Sequence, residues 1–203
     1  LPRTKSVLQW MPTIHYLDKD GFMPGIRNRR IYGILEDVTT AINVSIETGK
    51  VFWEVSGWNR NLFKGMEKNN FHFYNLGGVS GVGLSSTDVV NSDFSRFGIN
   101  NVTSGFYMSK ASDISRTNMF DEGQVTVLFT KLNSQNGPIK TGIGMDFAPG
   151  GLSDWSFTRL TISNRAERTF GRFGTRVRSL IGRTWENENG IPVQERYTVE
   201  GAG

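Results

Sequence analysis

Cysteine is absent from this chain of 203 residues, which excludes disulfides and thiolate metal sites and with them any small disulfide-stapled scaffold. Histidine is nearly absent: His15 and His72 are the only two. A Ser-His-Asp or Cys-His site needs a nucleophile on an oriented base, and no G-x-S-x-G elbow accompanies either histidine. No H-E-x-x-H occurs, and two histidines cannot supply a usual zinc set. No apolar run reaches the roughly 18 residues of a membrane-spanning helix. These gaps lead us to expect no enzyme, no cofactor and no membrane span.

The remaining catalytic patterns are weak. Glu36-Asp37 and Asp121-Glu122 are adjacent carboxylates, which point to opposite faces of a strand and cannot act as a pair there. Glu186 and Glu188 sit in a polar tail. Asp18-Lys19-Asp20-Gly21 lacks the later acidic ligand of a calcium loop and reads as a tight turn. Gly77, Gly78, Gly81 and Gly83 do not match a phosphate-loop spacing and read as a turn or sheet edge.

Strand signals are abundant. Residues 40–46 alternate apolar and polar, residues 50–55 are aromatic and β-branched, and Gly49 lies between them. This predicts a hairpin from Thr40 to Val55, with Ile42, Val44 and Ile46 on a buried face. A second hairpin is expected from Gln124–Thr130 across Asn133–Gly137 into Ile139–Phe147. Further strands are expected at 30–35, 71–76, 105–109 and 155–162. Seven or eight short strands with Gly and Asn between them point to an all-β fold, an antiparallel sandwich or barrel of jelly-roll type.

The ends differ from the middle. Residues 1–28 carry Pro2, Pro12 and Pro24, which oppose a long helix or a central strand, and are expected to be an N-terminal arm. Residues 29–183 would be the β-rich domain and 184–203 a polar C-terminal tail. Within the domain, the spacing of Phe170, Phe173, Val177 and Leu180 or Ile181 predicts one helix over 164–181. Gly171, Gly174 and Gly182 weaken it by about 1 kcal/mol each. Read as a strand instead, Phe173, Thr175, Val177, Ser179 and Ile181 share one face.

Charge is unevenly placed. Seven arginines (Arg159, Arg165, Arg168, Arg172, Arg176, Arg178 and Arg183) face one acid, Glu167, in one stretch, and Glu186, Glu188, Glu195 and Glu200 follow. Arg27, Arg29 and Arg30 form a smaller cluster. Guanidinium forks suit phosphates and carboxylates, so both clusters are candidate surfaces for a polyanion or a neighbouring subunit. With no catalytic set and irregular ends, the sequence leads us to expect a virion structural subunit, a capsid shell or head/tail component. Its expected partners are copies of itself, other structural proteins and nucleic acid, and it would reside in a virion or otherwise be soluble. The alternative is a β-sandwich binding module that recognises carbohydrate or a surface receptor through Trp58, Trp155 or Trp185.

Overall fold

The computed structural model describes residues 6–17, 20–33, 35–60, 62, 66–89, 99–112, 121–136, 138–170, 173–187 and 189–195. Eleven antiparallel strands form one sheet in which spatial order follows chain order. They are β1 (Val7–Leu17), β2 (Gly21–Tyr32), β3 (Glu36–Val44), β4 (Val51–Asn59), β5 (Lys68–Leu76) and β6 (Val79–Val89), then β7 (Ile99–Ala111), β8 (Gly123–Asn136), β9 (Ile139–Ala148), β10 (Phe157–Phe170) and β11 (Phe173–Glu186). A single turn of 3₁₀ helix at Val193–Glu195 follows. β1 and β11 occupy the two edges.

The all-β class therefore holds, but the strands make one sheet and not the two stacked layers of a sandwich. The helix expected over 164–181 is also absent: this stretch is the β10–β11 hairpin, paired residue for residue from Phe157↔Glu186 to Phe170↔Phe173. Glycines at 174 and 182 cost a helix more than a strand paired along its whole length, and the alternation of Val177, Ser179 and Ile181 suits a strand with one apolar face. The expected N-terminal arm is likewise β1 and most of β2, in register with β3. Pro12 and Pro24 fit without breaking the ladder, and Pro2 lies outside the described residues. Pro12 lies in edge strand β1, and Pro24 lies one residue outside the β2–β3 ladder, which starts at Gly25↔Asn43.

Both predicted hairpins are present as β3–β4 and β8–β9. Gly49 takes φ 67° in the first turn, and Gly77 and Gly78 take φ 57° and 90° between β5 and β6, a region that favours glycine over residues with a Cβ. Gly81 and Gly83, expected in a turn, lie inside β6 and pair with β5 and β7.

The sheet curls strongly. A Cβ on Gly77, in the β5–β6 turn, would come within 3.3 Å of both Leu17 of β1 and Phe52 of β4. In a flat sheet β1 and β5 would be about 19 Å apart, at roughly 4.8 Å per strand. The inward face of this curl is where burial concentrates. Val125, Val127, Ala148 and Phe157 form its core, with Tyr107, Trp155 and Ile191 packed against them. Ala41, Asn43, Phe52 and Asp146 are buried on the same side.

The apolar face predicted for β3 points the other way. Ile42, Val44 and Ile46 are 45%, 43% and 72% exposed, while Asn43 and Ser45 between them are 6% and 2% exposed. The alternation is present as predicted, but it is inverted: polar side chains line the inside of the curl and apolar ones the outside.

Candidate functional surfaces of the sheet

Because paired residues share a face, the registers assign every strand to one pattern. On the inward face, polar side chains bond across successive strands. Thr13 donates to Asn43 at 2.7 Å, Arg29 to Asp37 at 3.0 and 2.6 Å, and Asn70 to Ser85 at 3.2 Å. His72 and Glu54 lie 3.0 Å apart, and Asn133 donates to Asn101 at 2.8 Å. Each bond offsets the cost of holding a polar group in a partly enclosed space.

The tightest of these groups lies at the end of the curl where β10 begins. Arg159 of β10 is 2.7 Å from Asp146 of β9 and 3.2 Å from Glu195, with its side chain largely buried. Tyr107 of β7 donates to the same Glu195 carboxylate at 2.7 Å. Burial pushes the Glu195 carboxyl above its ordinary range, although Tyr107 and Arg159 pull it back. Burial, reinforced by the Glu195 charge, also pushes the Tyr107 phenol up. Burial alone would lower Arg159, but Asp146 and Glu195 outweigh it and hold the guanidinium above its usual value. The segment after β11 is thereby tied onto the inward face, where Pro192 is buried. Composition marked this segment only as a polar tail. Glu195 has its cation within the same chain, a pairing that charge counting did not reveal.

The opposite end of the inward face is basic. It carries Arg27, Arg29, Lys68, Lys131, Lys140, Arg165, Arg176 and Arg178, facing the acids Asp37 and Glu167. The bond from Arg29 holds Asp37 below the usual carboxylate range, and bonds from Arg165 and Arg176 do the same for Glu167. Lys68 lies over the Trp58 ring at 5.2 Å.

The outward face is the reverse. Through the middle of the strands it presents Trp10, Ile14, Ile26, Ile42, Trp53, Val55, Phe73, Val82, Phe106, Leu128, Ile143, Met145, Leu160, Ile162 and Ile181, with the uncharged polar Asn28, Ser104, Thr130, Asn164 and Ser179 among them. Its charged side chains, Arg30, Glu36, Asp88, Lys110, Arg168 and Arg183, all lie in the first or last four residues of their strands. Tyr16, Phe22, Phe147 and Trp185 gather toward one rim. Tyr16 and Phe22 meet edge to face at 5.2 Å, and Arg183 lies over Trp185 at 5.2 Å.

The arginines singled out from the sequence are therefore divided between faces. Arg27, Arg29, Arg159, Arg165, Arg176 and Arg178 point inward. Arg30, paired with Glu36 at 3.2 Å, Arg168 and Arg183 point outward near strand ends. Arg172 lies outside the described residues, as do Glu188 and Glu200 of the acidic tail. Of the three tryptophans offered for ligand stacking, Trp58 faces inward, Trp155 lies in the β9–β10 connection against the core, and Trp185 faces outward. Among the described residues no cluster of His, Asp and Glu could hold a metal ion. No helix among them is long and apolar enough to cross a membrane, a statement that leaves strands out of account.

No family model matches this sequence, and no similar curated protein or solved structure was found.

Proposed function

We propose that the chain forms the wall of a membrane β-barrel, with its outward face against lipid and its inward face lining a polar lumen. The observation that carries this reading is the distribution of charge on the outward face: mid-strand side chains are mostly apolar and none is charged, while charged ones are confined to strand ends. A layer of hydrocarbon imposes that pattern. Strands of 9 to 14 residues reach or exceed the ~9–11 residues a tilted strand needs to cross it. The aromatic rim suits the interface, where amphipathic rings rest at headgroup level. The bonded polar face suits water, and the sequential order β1 to β11 is that of an up-and-down barrel. Inside a membrane the edges of β1 and β11 need strand partners, since backbone groups left unpaired in hydrocarbon cost several kcal/mol each.

This reading departs from the soluble virion subunit expected from the sequence, in which copies of the chain would cover the same apolar face. The two separate in one experiment. The protein is refolded with and without vesicles whose acyl chains carry bromine at known depth. Quenching of Trp10 and Trp53, followed in variants that retain one tryptophan each, supports the wall. Regular particles that form in detergent-free buffer, without quenching by vesicles, favour the virion subunit.

A further inference from the structure

We infer that the lumen is anion-selective, with its filter at the basic end of the inward face; this rests on the wall reading above. The two halves of that face differ in sign. Toward the turn that joins β8 to β9, eight cations meet the acids Asp37 and Glu167. Toward the β9–β10 connection, Arg159 is the strand cation among Glu54, Asp146, Glu186 and Glu195, and Lys50 of the β3–β4 turn pairs with Asp20. Asp37 is engaged by Arg29, and Glu167 by Arg165 and Arg176. That leaves Arg27, Lys68, Lys131, Lys140 and Arg178 with no ion pair among the described residues, Lys68 lying over the Trp58 ring.

A second observation is independent of charge counting. The Nε of Arg27 is buried and has no hydrogen-bond partner, and its side chain lines a groove with Met11, Arg29, Thr39, Ser56, Trp58 and Asp37, whose carboxylate is engaged by Arg29. A buried guanidinium N–H left without an acceptor is unfavourable, because it has given up water and gained nothing in exchange. A small anion such as chloride or a carboxylate entering this groove would accept from it. Cations that line a low-dielectric conduit raise the local anion concentration and oppose cations, as rings of Arg and Lys do in anion pores.

The full-length protein is reconstituted into planar bilayers, and its reversal potential is measured under a potassium chloride gradient. The expected result is a chloride-to-potassium permeability ratio of about 3 or more. The quadruple variant R27Q/K131Q/K140Q/R178Q should lower it at least about threefold, because lumen substitutions tune selectivity without touching the lipid face. A second variant, Arg183→Gln on the outward face, should leave the ratio unchanged. Cation preference, insertion without ion conductance, or an unchanged ratio in the quadruple variant overturns the inference while leaving the wall intact. Failure of the bromine-lipid quenching overturns the wall itself, so the two failures are distinguishable.

Discussion

Ile42 and Asn43 are neighbours in β3 and are buried in the opposite sense from their polarity: Ile42 is 45% exposed and Asn43 6%. Asn43 accepts a hydrogen bond from Thr13 at 2.7 Å, so its burial is satisfied. Ile42 pairs with Ile26 on one side and Trp53 on the other, which makes one apolar ribbon across three strands. In water such a ribbon would be a liability.

That relationship predicts opposite outcomes for arginine on the two faces. Ile42→Arg should destabilise the vesicle-inserted protein by about 2–4 kcal/mol, the cost of a cation near the bilayer midplane. Thr39→Arg, on the inward face, should cost clearly less, since a substitution there avoids hydrocarbon and lies beside Asp37. Urea titration of the vesicle-bound protein measures both. Equal costs would show that the two faces are not different solvents.

Arg159 should be the most sensitive single charge. Arg159→Met leaves Asp146 and Glu195 enclosed without their cation and should cost about 3–5 kcal/mol, as for a buried pair that loses one partner. Adding Asp146→Asn and Glu195→Gln should recover a good part of the loss, because the stranded charges are then removed. A triple variant as unstable as the single one would mean that packing, not charge, holds this site.

The pH dependence follows from Glu195, whose carboxyl is raised above the ordinary 4.5 by burial. A carboxyl that binds its proton more tightly when folded favours the folded state at low pH. That contribution is lost as pH rises from 4.5 through the raised value, and above it stability no longer changes from this cause. Glu195→Gln should flatten this part of the stability curve. A slope identical to wild type just above pH 4.5 would assign the effect to other groups.

The β3–β4 turn offers a local check. Gly49 sits at φ 67° with nothing near the place of a Cβ, so only backbone strain opposes a side chain there. Gly49→Ala should cost about 1 kcal/mol and Gly49→Asn less, because asparagine tolerates the left-handed region. A neutral Ala variant would show that the turn relaxes.

Much of the fold was legible in residue order alone. The alternation in 40–46 and 124–130 and the glycine between the strands of the first hairpin needed no coordinates. Strand β6 was not legible, since Gly81 and Gly83 read as turn signals until Tyr74 and Tyr107, their neighbours on the inward face, supplied the bulk they lack. The β10–β11 hairpin was misread because Phe173, Val177 and Ile181 satisfy a spacing of four as well as one of two. Only pairing with β9 and β10 removes the ambiguity.

The candidate site was less legible still. Linear clustering grouped Arg159 through Arg183 as one block, whereas a strand sends neighbours to opposite faces, so Arg178 and Arg183 end on different surfaces. The sequence by itself determined the period of two, and hence that a strand such as β3 has one apolar and one polar side. Which side is enclosed was decided only by the tertiary structure. Alternation is symmetric with respect to inside and outside, and the direction in which the sheet curls breaks that symmetry by turning Asn43 and Arg159 inward and Ile42 and Trp53 outward.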